Sequence, residues 1–208
     1  MDDKTKILGQ YRTPDAVADL VLGFCLKDPG VHILDPSCGD GVFLARASQF
    51  LDWLDPSSDH SDKLWGIELD IESAAQAQLA VPQAHIISRD FFEMDPWPNT
   101  HFDAIVGNPP YTRSEWISQL SEVDDQAEQL SIFKDSRAIE PLLLSQSADS
   151  AQLVRNDSDM AFLGRRAGLY THFLIHGQKF LKEAGRFGFV LPNSWLDVAY
   201  GERLKRFS

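Results

Sequence analysis

The sequence predicts an α/β fold with a mainly parallel sheet and helices on both faces, and three observations carry that prediction. Short apolar runs alternate with stretches of helical periodicity along most of the chain. The first, second and fourth of those runs end in an acid or a glycine, and an acid follows the third, where an open α/β sheet gathers a ligand crevice. The 208 residues are 43% hydrophobic, which suffices for one buried core and one domain spanning 1–208.

Taken in order, residues 9–26 read as a helix entered through Thr13-Pro14-Asp15, with Thr13 as N-cap and Pro14 at the first helical position. Val31-His32-Ile33-Leu34-Asp35 reads as a first buried strand. Residues 42–54 place Val42, Phe43, Ala45, Ala47, Phe50, Leu51 and Leu54 at helical spacing, until Asp55-Pro56-Ser57-Ser58-Asp59 breaks the pattern. Residues 64–69 form a second strand and 71–79 a short Ala-rich helix stopped before Pro82. Residues 84–88 read as a third strand, and 102–107 as a fourth that runs into Asn108-Pro109-Pro110-Tyr111. Residues 169–181 are amphipathic and point to a helix ending at Gly185, followed by a fifth strand at 187–191 and another helix from Tyr200. The stretch 114–160 breaks the alternation and carries far more acids than bases, as a long functional or mobile insertion does.

Composition excludes several classes. No apolar run is long enough to cross a bilayer. The acidic opening Met1-Asp2-Asp3-Lys4 precedes no apolar signal region, so a cytoplasmic location is expected. Cys25 and Cys38 stand alone, and His32, His85 and His101 have no spaced ligand partners, so neither a disulfide framework nor a metal site is expected. Net charge is -12, from 19 Lys+Arg against 31 Asp+Glu, the wrong sign for a surface that holds phosphates by itself.

The chemistry concentrates at the strand ends. Asp35-Pro36-Ser37-Cys38-Gly39-Asp40-Gly41 follows the first strand and opens a helix, where glycines let the backbone turn tightly and approach a ligand. The dinucleotide pattern G-x-G-x-x-G is absent, which disfavours a nicotinamide enzyme. Glu68 ends the second strand and could accept from both hydroxyls of a ribose; alone, it would be a solvated strand-end acid. Asp90-Phe91 offers an acceptor beside an aromatic surface, or simply a surface acid beside a core Phe. In Asn108-Pro109-Pro110-Tyr111 the prolines stiffen the loop and remove donors, so the Asn108 side-chain oxygen and the Pro109 carbonyl can accept both hydrogens of a planar amino group. Tyr111 can stack on the ring that carries it.

The order Gln10-Tyr11-Arg12-Thr13-Pro14, the 35–41 motif, Glu68, Asp90-Phe91, Asn108-Pro109-Pro110-Tyr111, Leu169-Tyr170 and residues 187–196 resembles the gamma-type N6-adenine DNA methyltransferases of restriction-modification systems. The resemblance covers nearly the whole chain apart from the acidic insertion. It implies the Rossmann-like fold of S-adenosylmethionine-dependent methyltransferases, S-adenosylmethionine as cofactor, flipped adenine in DNA as substrate and a prokaryotic source. Residue by residue, it implies Thr13 and Pro14 at the methionine end of the cofactor. The loop of Asp35, Pro36, Cys38, Gly39 and Gly41 would surround the methionine moiety. Glu68 would take the ribose, Asp90 the adenine amino group and Phe91 the adenine ring of the cofactor, while Asn108, Pro109, Pro110 and Tyr111 would hold the target base. Relatives continue into a target-recognition domain, so DNA binding is expected to need such a domain or a partner subunit. The Asn-Pro-Pro-Tyr chemistry is shared with protein-glutamine and ribosomal-RNA guanine methyltransferases. Those activities, or an inactive cofactor-binding fragment, are the alternatives.

Overall fold

Strand and helix alternate through residues 12–97, 101–111 and 169–192, the parts of the chain that the computed structural model describes. The order is α1 (Asp15–Cys25), β1 (Ile33–Asp35), α2 (Val42–Leu54), β2 (Leu64–Glu68), α3 (Ile71–Ala80), β3 (His85–Ser88), a 3₁₀ turn (Phe91–Glu93), β4 (Phe102–Gly107), α4 (Leu169–Gln178) and β5 (Leu181–Phe189). The strands form one sheet in the order β3-β2-β1-β4-β5, and every pairing is parallel. The chain moves outward from β1 in one direction and restarts at β4 in the other, so the topological switch point lies between β1 and β4.

Successive strand residues point to opposite faces, and the two faces have separate cores. Ile33, Leu64 and Val106 pack with Ala18 and Leu22 of α1, Phe43, Leu44, Ala47 and Leu51 of α2, and Ala77 of α3. Leu34, Ile67 and Ile105 pack instead with Phe91 of the 3₁₀ turn, Phe173 of α4 and Phe180. Burial on both faces explains why the central strands read as continuous apolar runs rather than alternating ones. The carboxyl ends of β1, β2, β3 and β4 consequently share one edge of the sheet.

Two expectations are corrected. The N-cap of α1 is Pro14, one residue later than expected, and its carbonyl accepts from Val17 N at 2.9 Å. The Thr13 hydroxyl makes no capping bond because it accepts from Asn108 Nδ2 at 3.1 Å instead. The last helix ends at Gln178, and β5 begins at Leu181, so Gly185 lies within the strand rather than after a helix. There Leu181 pairs with Phe102 and Arg186 with Ala104, which leaves residues 182–185 opposite Asp103 alone. This bulge carries Ala184 at φ 61, a local irregularity that helical periodicity cannot reveal. The acidic stretch 114–160, Gln10-Tyr11, residues 193–196 and the helix from Tyr200 lie outside the described residues.

Among the described residues, no helix is long and apolar enough to cross a membrane, and no group of three or more His, Cys, Asp or Glu could hold a metal ion.

Candidate active site at the carboxyl ends of the strands

Asp35, the last residue of β1, is 1% exposed, and its Oδ1 accepts from Ser37 N at 3.1 Å. That bond folds the chain sharply into the loop. Cys38 N then donates to Ile67 O at 2.9 Å and Gly41 N to Cys38 O at 2.8 Å, which pins the loop across the top of β2. Gly41 caps α2 at φ 88, and a Cβ there would stand 3.1 Å from Ala77 Cα, so only glycine lets α2 start this close to α3. A Cβ on Gly39 would meet nothing within 4 Å, so the outer side of the loop opens onto free space. Pro36 is buried in the turn, and the Cys38 side chain is buried in the core cluster beneath it. Burial pushes the Cys38 thiol up, and Asp35 and Glu68 push it further, so it is no nucleophile.

Glu68 is 5% exposed at the end of β2. Its Oε2 accepts from Gly39 N at 2.8 Å and its Oε1 from Asp70 N at 2.9 Å, so one carboxyl ties the glycine loop to the N-cap of α3. Asp70 in turn accepts from Ser73 N at 2.9 Å. After β3, Asp90 is buried and its Oδ1 accepts from Phe92 N at 2.9 Å, capping the 3₁₀ turn. The Phe91 ring is buried against Phe173 at a centroid distance of 5.5 Å and meets His176 edge-on at 4.8 Å.

Burial governs the electrostatics of this edge. It pushes the Asp35 carboxyl up to about 8 against the pull of the Ser37 N–H, with the Glu68 charge adding to the rise. It also raises Glu68, against the pull of the Asp70 and Gly39 N–H groups. No Lys or Arg among the described residues pairs with either carboxyl. Their partners among the described residues are neutral backbone N–H groups, so the buried pair lacks a charge partner and can take a cationic ligand group.

At the end of β4, Gly107 approaches Asp35 so closely that a Cβ would lie 2.6 Å from Oδ1. Asn108 follows. Its Nδ2 donates to Thr13 Oγ1, and its Oδ1 accepts from the Tyr111 hydroxyl. The Tyr111 oxygen also lies 3.1 Å from Val190 O, and its ring meets Tyr170 edge-on at 6.5 Å. Pro109 is buried, while Pro110 and Tyr111 are half-buried. Burial raises the Tyr111 hydroxyl.

The fold thus brings Asp35, the 35–41 loop, Glu68, Asp90, Asn108 and Thr13 to one edge. Pro14 stands beside Thr13, where α1 begins. Phe91 and the Cys38 side chain are turned into the core. A separate groove of about 360 Å³ opens on the helix side of the loop, lined by Arg12, Asp40, Gly41, Arg46, Gln49 and Gln76 among others, and none of the strand-end acids lines it. Two participants escaped the sequence reading. The Ser37 Oγ is buried inside the loop without a hydrogen-bond partner among the described residues, and the Asp70 N–H holds Glu68 from behind. Asp70 carries a signal, the Asp-x-x-Ser of a helix N-cap, whereas Ser37 carries none.

Comparison with known proteins agrees with this architecture. Type II methyltransferase M.HincII of Haemophilus influenzae is 31% identical over 123 residues, covering 59% of this chain and 21% of its own length. Type II methyltransferase M.BstVI of Geobacillus stearothermophilus is 28% identical over 232 aligned residues, covering 96% of this chain and 36% of its own. The chain therefore spans a fifth to about a third of these relatives. A solved Listeria monocytogenes protein assigned to the class I S-adenosylmethionine-dependent methyltransferases superposes with a TM-score of 0.61. It covers 94% of this chain and 50% of that one, at 16% identity, so the likeness is one of fold, and the expected Rossmann-like methyltransferase fold is the one observed. The description "Eco57I restriction-modification methylase" matches residues 57–208, more than half of the sequence, and the chain belongs to that family.

Proposed function

We propose that this chain is the catalytic part of a DNA methyltransferase that moves the methyl group of S-adenosylmethionine to the exocyclic N6 of adenine. The observation that carries the reading is the Asn108-Pro109-Pro110-Tyr111 loop at the switch point, beside a row of strand-end carboxyls from β1, β2 and the loop after β3.

The residues fit the cofactor. The buried Asp35 and Glu68 carboxyls, without a basic partner among the described residues, suit an amino-acid ammonium and a ribose diol. The open side of Gly39 and the Ser37 Oγ, which has no partner among the described residues, suit a ligand lying along the loop. In this reading Thr13, Pro14, Pro36, Cys38 and Gly41 frame the methionine end, Cys38 and Gly41 through their backbone. Asp90 takes the adenine amino group of the cofactor, and Phe91, its ring buried, backs Asp90. When bound, S-adenosylmethionine supplies an electrophilic sulfonium methyl.

The chain's own residues orient the nucleophile. The N6 lone pair of adenine is delocalised into the ring. Two acceptors on the amino hydrogens, Asn108 Oδ1 and the Pro109 carbonyl, draw that nitrogen toward a tetrahedral geometry and raise its electron density. Pro110 keeps the loop stiff, and Tyr111 leaves Asn108 Oδ1 to stack on the flipped base. Alignment of this kind contributes roughly 7–11 kcal/mol in well-oriented reactions, and flipping the base costs a few kcal/mol that stacking partly offsets. With a net charge of -12, duplex binding is assigned in this reading to a further domain or a partner subunit.

The test is to incubate the chain with methyl-labelled S-adenosylmethionine and unmethylated bacterial DNA, digest the product and identify the labelled nucleoside. N6-methyladenine is expected. Label in a methylated cytosine, in glutamine of an added peptide or in ribosomal RNA would overturn the adenine assignment.

A further inference from the structure

We propose that Thr13 is a positioning residue for methyl transfer, its hydroxyl fixing the Asn108 amide in the place and plane from which that amide meets the target amino group; this rests on the methyltransferase reading above. Thr13 is 6% exposed, so its hydroxyl is a buried polar group that needs a partner. Among the described residues its one hydrogen-bond partner is Asn108 Nδ2, across a sequence separation of 95 residues. The residues around Thr13 hold it still. Pro14 restricts the backbone at φ -61, and α1 beyond it packs Ala18 and Leu22 into the core against β4. On the other side, Arg12 Nε lies 3.6 Å from Asp40 Oδ2, which links the segment to the glycine loop.

Asn108 needs such an anchor because its terminal amide torsion is soft, with broad wells rather than three sharp ones. The loop that follows cannot supply one, since Pro109 and Pro110 have no backbone N–H to donate to the Asn108 oxygen. The Tyr111 hydroxyl cannot either, because Tyr111 has to move onto the base. Thr13 keeps its grip throughout, and through it the entry of α1 sets the catalytic amide on β4.

The experiment compares Thr13→Val, which keeps the shape without the hydroxyl, with Thr13→Ser, which keeps the hydroxyl. In the nitrogen-labelled 208-residue chain, the Asn108 side-chain amide resonance is identified by its loss in Asn108→Asp. Thr13→Val is expected to move or broaden that resonance and to lower kcat roughly 10- to 100-fold, with KM for DNA changed by less than about threefold. Thr13→Ser is expected to restore both the resonance and the rate. An unmoved amide resonance in Thr13→Val, a loss that Thr13→Ser does not rescue, or a loss confined to cofactor Kd would each overturn the proposal. If the unsubstituted chain labels DNA at a base other than adenine, the adenine reading fails, and the resonance comparison still decides whether Thr13 holds Asn108.

Discussion

The two sides of the switch point hold their polar side chains in different ways. On the β1–β3 side, Asp35, Glu68 and Asp90 all accept from backbone N–H groups two residues ahead, at Ser37, Asp70 and Phe92. On the β4 side, Asn108 is held by other side chains, Thr13 and Tyr111. A backbone donor two residues away comes with the turn itself, so Asp35 and Asp90 are placed as soon as their strands end, and Glu68 adds a second backbone donor, Gly39 N, from the loop after β1. Tyr111 is local, but Thr13 comes from a segment 95 residues away and arrives only when α1 has packed on the sheet. The first side is a rigid cradle suited to a ligand that is always the same. The second can exchange partners, as a site must when a base enters and leaves.

Breaking the point where the two sides meet should have the largest effect. Gly107→Ala would push a methyl to 2.6 Å from the buried Asp35 Oδ1, at φ 155, and should destabilise the chain by about 3 kcal/mol or more. A urea melt measures this directly, and an unchanged midpoint would mean that Asp35 moves aside freely. Next comes the cradle itself. Glu68→Gln faces an amide NH2 toward Gly39 N or Asp70 N and should cost about 2 kcal/mol by leaving a buried donor unpaired. Asn108→Ala, which removes the bonds to the Thr13 and Tyr111 side chains, should cost about 1 kcal/mol in the same melt while abolishing transfer. Equal losses for the two variants would erase the contrast between the sides.

The pH dependence sharpens the comparison further. Asp35 titrates near 3.8 when unfolded and at about 8 when folded, so its ionised form is disfavoured in the native state. Stability should therefore fall as pH rises from about 4 to about 8, by at most about 1.4 kcal/mol per unit from this group, and level off above. Asp35→Asn should remove that slope, which a series of thermal melts across the range would reveal. His172 works in the opposite direction. Burial lowers it from 6.5 to about 4, so the native state resists its protonation, and stability should decline as pH drops from about 6.5 toward 4. The smallest effect is expected at Ala184, where φ 61 is strained for any residue with a Cβ. Ala184→Gly should raise stability by about 0.5–1 kcal/mol, readable as a small upward shift in Tm.

The same contrast explains what the sequence reveals. α2 and β4 begin and end where periodicity and punctuation place them, because α2 carries an apolar stripe between Gly41 and Asp55-Pro56, and β4 is a largely apolar run that ends at Gly107 before Asn108-Pro109. Glu68 and Asp90 are legible as strand-end acids, and their local bonds follow from ordinary turn chemistry. The link between Thr13 and Asn108 is not legible, since Thr13 before Pro14 is also a good N-cap and local rules favour that role. A tertiary partner outcompetes it. The β5 register is missed for a related reason. Leu181 and Gly185 continue a helical pattern in sequence, and only pairing with Phe102 and Ala104 shows that the chain has already entered the sheet.

The bulge opposite Asp103 has a practical consequence. It sits where β4 begins, whereas the crevice lies where β4 ends, and Lys182 Nζ clasps both Asp103 carboxyl oxygens at 2.9 and 2.8 Å. The clasp fastens one flank of the excursion while its tip at Glu183 and Ala184 hangs outside the ladder. A fluorophore, affinity tag or tether grafted at that tip would report on or immobilise the chain from the far rim of the sheet. Instrumented this way, the crevice could be studied while its own surroundings stay untouched.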